Sequence, residues 1–352
     1  MPDSRLVVFI STPLEQEHVA RIRAVAPDAV EVIAEPDLWP ALRYVADHKG
    51  KDGFSRTAEQ EARWRRHLGR ADVTWDFPPA SPDGASGLSL APNLKWVQTT
   101  SSGVGQMVSK LGDRANSLLV TTARGVHAQP LSEFVFLALL THVKRLDRLK
   151  SEQAAHRWER YCGDGLAGKT LAVIGAGQVG GRIASVGKAF GMRVLASVRD
   201  ARSGRADEMG VDAIYPPDRL HAMLPEADAV VLITPHTPET ENLIDGQAFG
   251  LMKPGVIFVN IGRGQCVDEA AMIANLRSGR ISFAALDVAA VEPLPPTSPL
   301  WDMPNVLISP HSASTVGSEN ERIADIFCHN LRCYLEGRKS DMRNVLDKSR
   351  MY

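Results

Sequence analysis

The sequence predicts an α/β protein made of two domains, each a doubly wound parallel sheet. Three observations carry that expectation. The chain has 352 residues, more than one ordinary hydrophobic core holds. Short apolar, β-rich runs alternate with polar helical stretches along it, the order that covers both faces of a parallel sheet with helices. Finally, the glycines Gly175, Gly177 and Gly180 stand between a β-rich run and a helical stretch, as the first turn of a nucleotide-binding βαβ unit requires.

The N-terminal third supplies five strand-like runs: LVVFIST (6–12), AVEVIAE (29–35), ADVTWDF (71–77), LKWVQTT (94–100) and SLLVTTA (117–123). Between the second and third lies a long charged segment, about 45–70, read as surface helix plus loop with no visible chemistry. From 124 to 150 apolar residues recur at helical spacing and end in a basic stretch, which a helix C-terminus favours. Strand-like runs then return as TLAVIG (170–175), RVLASV (193–198), DAVVLIT (228–234), GVIFVNI (255–261), SFAALDV (282–288) and NVLISP (305–310). A helical segment over 318–337 follows. Trp39, Tyr44, Trp96 and Trp301 are large aromatics that line a pocket or fill a core.

Composition narrows the function classes. Forty basic residues against forty-one acidic ones give a formal net charge of −1, so no electrostatic footprint for nucleic acid or an anionic membrane surface is present. The cysteines Cys162, Cys266, Cys328 and Cys333 form no CxxC pair and no zinc-like spacing with histidines, and no metal site is expected. The opening MPDSRLVVFISTP has too short an apolar run for a signal peptide, and FVFLALL (134–140) is far below membrane-spanning length. A soluble, cytoplasmic protein is expected.

The glycine pattern has a direct physical reading. Gly175 permits a tight turn, Gly177 lets a pyrophosphate approach the backbone, and Gly180 lets helix and strand pack closely. The N–H groups of Gln178 and Val179 then face the phosphates at a helix N-terminus. The following strand ends with Val198 where an NAD enzyme usually carries an acid, and Arg199 comes next. An arginine there suits a 2′-phosphate, so NADP is the preferred cofactor. NAD, with Asp200 serving its ribose from a shifted position, is the alternative.

Three further polar residues follow strand ends, where open parallel sheets build ligand sites: Arg263 after VIFVNIG, Glu292 after ALDVAAV and His311 after VLIS. At this point the chain resembles the D-isomer-specific 2-hydroxyacid dehydrogenases, an NAD(P)-dependent family of two similar α/β domains around a cleft. The stretches that carry the likeness are GKTLAVIGAGQVGGRIA, TPHTPETENLI, MKPGVIFVNIGRGQCVDEAAM, ALDVAAVEPLP and SPLWDMPNVLISPHSA, with SSGVG and SEFVFLALL nearer the first domain. Gly105 and Ser314 depart from the pattern of many relatives.

The resemblance implies roles position by position. Arg263 is similar to the arginine that binds the substrate's carboxylate and carbonyl oxygen, a task suited to a permanently charged donor fork. His311 is similar to the acid/base, and Glu292 to the partner that orients the imidazole and stabilises its charged form. Asp287 is similar to the acceptor for the nicotinamide carboxamide, Thr234 and Pro235 to the loop against adenosine, and Ile261, Arg263 and His311 complete the cofactor-binding set. Ser102, Gly103 and Val104 offer backbone N–H groups as an anion nest for the substrate carboxylate.

The implied domains are a flavodoxin-like substrate domain, 1–122 plus 316–352, and a Rossmann cofactor domain, 123–315. The implied reaction is hydride transfer between NAD(P)H and a small 2-keto acid, such as glyoxylate or hydroxypyruvate, giving a D-2-hydroxy acid. A homodimer is implied as well. A dinucleotide-sensing, corepressor-like binding protein is the alternative on the same fold, with formate or phosphite oxidation a weaker one.

Overall fold

The computed structural model describes residues 5–349. The chain divides into two compact units, one from Met1–Val126 with Thr315–Tyr352, the other His127–Ser314.

Unit 1 holds the parallel strands β1 (Leu6–Ile10), β2 (Val30–Ile33), β3 (Val73–Trp75), β4 (Trp96–Gln98) and β5 (Leu119–Thr121). Their order is β2-β1-β3-β4-β5, so the winding direction reverses between β1 and β3. Each strand is a β-branched or aromatic run bounded by polar or proline-rich chain, which suits a pleated sheet buried on both faces. Trp64, Trp75, Trp96 and Phe9 are fully buried at the centre. The helix Glu319–Leu335 returns to this core because its apolar stripe carries Phe327, whose ring lies 5.0 Å from that of Trp96 and 5.9 Å from that of Trp75. The aromatics thus separate: Trp39 and Trp96 are buried, whereas Tyr44 and Trp301 are exposed.

Unit 2 holds β6 (Thr170–Ile174), β7 (Arg193–Ser197), β8 (Ala213–Tyr215), β9 (Ala229–Leu232), β10 (Val256–Asn260), β11 (Ile281–Leu286) and β12 (Val306–Ile308). All run parallel in the order β12-β11-β10-β9-β6-β7-β8, and the winding reverses between β6 and β9. The registers Leu232↔Asn260, Asn260↔Leu286 and Leu286↔Ile308 bring the carboxyl ends of β9 to β12 level with one another. Every loop that leaves these strands therefore starts from the same edge of the sheet.

Two readings of the sequence need correction. The stretch 124–150 is not one helix but two, Ala128–Val143 and Leu146–Ala154, with Arg145 left-handed between them. The first helix stops there because its last carbonyls are taken elsewhere: Val143 accepts from the Asp164 N–H at 2.9 Å and Lys144 from the Tyr161 hydroxyl at 2.6 Å. Strand β8, only three residues long and hemmed by Asp212 and Pro216, escaped the alternation pattern altogether.

Candidate active site at the carboxyl edge of the second sheet

The glycine loop closes β6. Gly175 has φ +95°, and a Cβ there would lie 2.7 Å from the Ile233 carbonyl oxygen, so only glycine fits between β6 and the chain leaving β9. A Cβ on Gly180 would sit 3.0 Å from the Gly175 carbonyl and 3.1 Å from Val173, which seats the helix Gln178–Ala189 tightly on the strand. Gly177 differs, because nothing lies within 4 Å of a Cβ built on it. Its lack of a side chain keeps open the space before the helix N-terminus, where Gln178 is exposed and Val179 half-buried. Across the winding reversal, the Thr234 hydroxyl oxygen is buried with no hydrogen-bond partner. A cradle kept clear of side chains, a helix N-terminus beyond it and an unmatched hydroxyl at the switch point fit a dinucleotide's phosphates and polar groups.

The loop after β7 is rich in arginine. The Val198 N–H donates to the Tyr215 carbonyl at 3.2 Å, and Arg199 and Asp200 are exposed. The Asp200 carboxylate is engaged by Arg202, which also forks onto Glu208 at 2.7 and 2.9 Å. Pro235, exposed, has its carbonyl bonded by the Thr240 hydroxyl at 2.7 Å. Ile261 is buried in the core and donates its N–H to the Leu232 carbonyl at 3.1 Å.

Arg263, Asp287, Glu292 and His311 all leave the carboxyl ends of β10, β11 and β12, and the structure ties their loops together. Nδ1 of His311 is 2.8 Å from Oε2 of Glu292. The His311 backbone is left-handed, φ +55°, with its N–H donating to the Asp287 carbonyl at 2.9 Å. Asp287 is buried, and its Oδ1 accepts from the Ser309 hydroxyl at 2.6 Å and from the N–H groups of Ser312 and Ala313 at 2.9 Å each. One carboxylate oxygen thus clamps the turn that presents the imidazole. Glu292 is positioned in turn, its Oε1 accepting from the Ala289 N–H at 3.2 Å.

Arg263 is half-buried and donates to the Gly262 carbonyl at 2.7 Å. Among the described residues its guanidinium pairs with no carboxylate, so most of its donors are uncommitted. The loop that carries it is pressed against the one that carries Glu292, since a Cβ on Gly264 would fall 1.9 Å from the Ala289 carbonyl oxygen. The Gln265 side-chain amide, donating to the Ala290 carbonyl at 3.0 Å, holds that approach. Gly264 and Gln265 were not singled out in the sequence, although the glycine after Arg263 was visible there.

In unit 1, Ser102 and Gly103 are exposed and Val104 is buried, in the turn before the short helix Gly105–Ser109. The Gly103 N–H already leans on the Ser101 hydroxyl at 3.3 Å, while the amides of Ser102 and Val104 carry no bond among the described residues. No group of three or more metal-ligating side chains occurs among the described residues, and no helix there is long and apolar enough to cross a membrane.

Residues 136–313 match the family model for the D-isomer specific 2-hydroxyacid dehydrogenase NAD binding domain. A glyoxylate reductase from Aeropyrum pernix is 34% identical over 260 residues, 71% of this chain and 76% of the relative. D-3-phosphoglycerate dehydrogenase from Mycobacterium leprae is 32% identical over 71% of this chain, which spans only 47% of that longer protein. Among solved structures, a D-isomer specific 2-hydroxyacid dehydrogenase from Xanthobacter autotrophicus Py2, in complex with NADPH and MES, superposes with a TM-score of 0.74 at 27% identity, covering 99% of this chain and 100% of that one.

Proposed function

Because the chain belongs to the D-isomer-specific 2-hydroxyacid dehydrogenase family, we propose that it reduces a small 2-keto acid of the glyoxylate or hydroxypyruvate type to the D-2-hydroxy acid. The observation that carries this reading is the 2.8 Å pairing of His311 with Glu292 on a turn clamped by Asp287. A bound nicotinamide dinucleotide would supply the hydride. His311, with Nδ1 held by Glu292, presents its other ring nitrogen as the proton donor to the carbonyl oxygen, and takes the proton back in oxidation. Arg263 binds the carboxylate and the carbonyl oxygen through its uncommitted donors, which also favour the charge that grows on that oxygen. The amides of Ser102 and Val104, with that of Gly103 beside them on the Ser101 hydroxyl, serve the substrate carboxylate.

The dinucleotide is held by the amides at Gln178 and Val179, by the space that Gly177 keeps open, and by Val198, Thr234, Pro235, Ile261 and Asp287 around it. We prefer NADP. Support comes from the engagement of Asp200 by Arg202, which commits the carboxylate that would otherwise serve an NAD ribose. The relative solved with NADPH points the same way. We further propose a cytoplasmic homodimer: all four cysteines are free, and Trp158 is 97% exposed with Leu149 and Leu137 also outward. Steady-state assays of a panel of 2-keto acids with NADPH and NADH test the proposal. Turnover of glyoxylate with a higher kcat/KM for NADPH is expected, and a strong preference for NADH would remove the NADP assignment.

A further inference from the structure

Glu292 stands on chain with no regular structure. Val291, Glu292 and Pro293 are all exposed, so burial does not fix the carboxylate that holds His311. Oε1 of Glu292 accepts from the Ala289 N–H, which ties the side chain only to its own loop. Its placement therefore depends on what holds the backbone at Ala289 and Ala290.

That hold comes from the stretch just after Arg263. The Gln265 side-chain amide donates to the Ala290 carbonyl at 3.0 Å, and Oε2 of Glu269 accepts from the Ala290 N–H at 3.2 Å. Both polar backbone groups of one loop residue are thus claimed by two neighbouring side chains. The stretch that carries those side chains is itself fixed. Gln265 lies in the 3₁₀ turn Gly264–Cys266, and its carbonyl accepts from the Asn242 N–H at 2.9 Å. Val267 is buried and forms a parallel bridge with Ile244. Glu269 opens the helix Glu269–Arg277, whose first turn is capped by the Asp268 carboxylate accepting from the Ala271 N–H at 2.9 Å.

An acid in a first turn also favours its helix through charge, a role that glutamine cannot fill, whereas acceptance from the Ala290 N–H is one that it can. We propose that Gln265 and Glu269 are positioning residues that act through Ala290 to set Glu292, and through it His311, for proton transfer. The proton transfer rests on the keto-acid reading above, whereas the placing of Glu292 does not.

The test uses the full chain with Q265M, E269A and E269Q, and urea unfolding checks that each variant folds. Q265M keeps the volume of a half-buried side chain and removes only its donor, so it carries the test should E269A not fold. In glyoxylate reduction Q265M and E269A should each lower kcat about five- to thirtyfold, with KM for glyoxylate and NADPH affinity within about threefold of wild type. E269Q, which keeps an acceptor, should stay within about threefold in kcat. Because the effect runs through Glu292, adding either loss variant to E292Q should lower kcat by no more than about twofold below E292Q alone. A second readout needs no turnover. The proton between His311 Nδ1 and Glu292 gives a far-downfield NMR resonance, assigned by its absence in His311→Asn, that should vanish in Q265M and E269A and persist in E269Q. A full additional loss of kcat in the E292Q background, a loss in E269Q as large as in E269A, or an unchanged resonance in Q265M and E269A would overturn the proposal. A resonance lost in folded Q265M and E269A, with no keto-acid reduction by wild type, would keep the positioning role and overturn the keto-acid reading.

Discussion

His311 and Glu292 come from loops after different strands, β12 and β11, yet the imidazole Nδ1 and a carboxylate oxygen meet at 2.8 Å. The pairing fixes which ring nitrogen faces outward and holds the ring's orientation. Glu292→Gln keeps a hydrogen-bond acceptor but removes the charge. It should lower kcat for keto-acid reduction about ten- to a hundredfold and leave dinucleotide affinity within about threefold. Stopped-flow reduction with a parallel fluorescence titration of NADPH checks both halves.

The clamp at Asp287 predicts a coupled loss. Asp287→Ala strands three donors, from Ser309, Ser312 and Ala313, in a part-buried turn. The variant should be destabilised by about 2–4 kcal/mol, and its kcat should fall because His311 is no longer held. Asp287→Asn restores an acceptor and should recover most of the stability. Urea unfolding of the two variants against wild type reads the difference, and equal stability of Ala and Asn would show that the clamp contributes nothing.

The glycines separate into two kinds. Gly177→Ala meets no atom within 4 Å, so the fold should be unchanged within about 0.5 kcal/mol while dinucleotide affinity falls about tenfold or more, because the methyl group enters the space kept for phosphates. Gly264→Ala drives a Cβ into the Ala289 backbone and should cost about 2–3 kcal/mol along with activity. Thermal denaturation beside NADPH titration distinguishes these outcomes.

A pH effect is built into the loop of unit 1. The Arg43 guanidinium, helped by backbone N–H groups, holds the Asp47 carboxyl well below the usual carboxylate range despite its burial. A depressed carboxyl contributes stability above its unfolded pKa of about 4 and loses it as the pH falls further. The unfolding free energy of wild type should therefore exceed that of Asp47→Asn near neutral pH, with the difference shrinking below about pH 4. A constant difference across that range would contradict the assignment.

Much of this was legible in the chain. Apolar runs that stop at a glycine, a GRG and a PHS gave the positions of Gly175, Arg263 and His311, since strand ends are marked by a change from β-branched to small or polar residues, whereas Asp287 entered only through the family resemblance. Geometry between loops was not legible. Gly264 could be seen as a glycine, but its closeness to Ala289 depends on how the loops after β10 and β11 pack. The segment 45–70 showed only charge and helical pattern, because Asp47's bonds arise from folding the loop over the ends of β1 and β3. The break at Lys144 was hidden for a similar reason, since the groups that claim the last helical carbonyls lie at Tyr161 and Asp164.

The most direct measurement is NADPH-dependent reduction of glyoxylate by wild type and His311→Asn, a substitution chosen because asparagine tolerates the left-handed backbone of that position. Wild type should turn over glyoxylate, and the variant should bind NADPH normally with kcat/KM lower by about 10²–10⁴. Wild-type-like turnover by His311→Asn, or no keto-acid reduction by the wild type, would contradict the role assigned to this histidine.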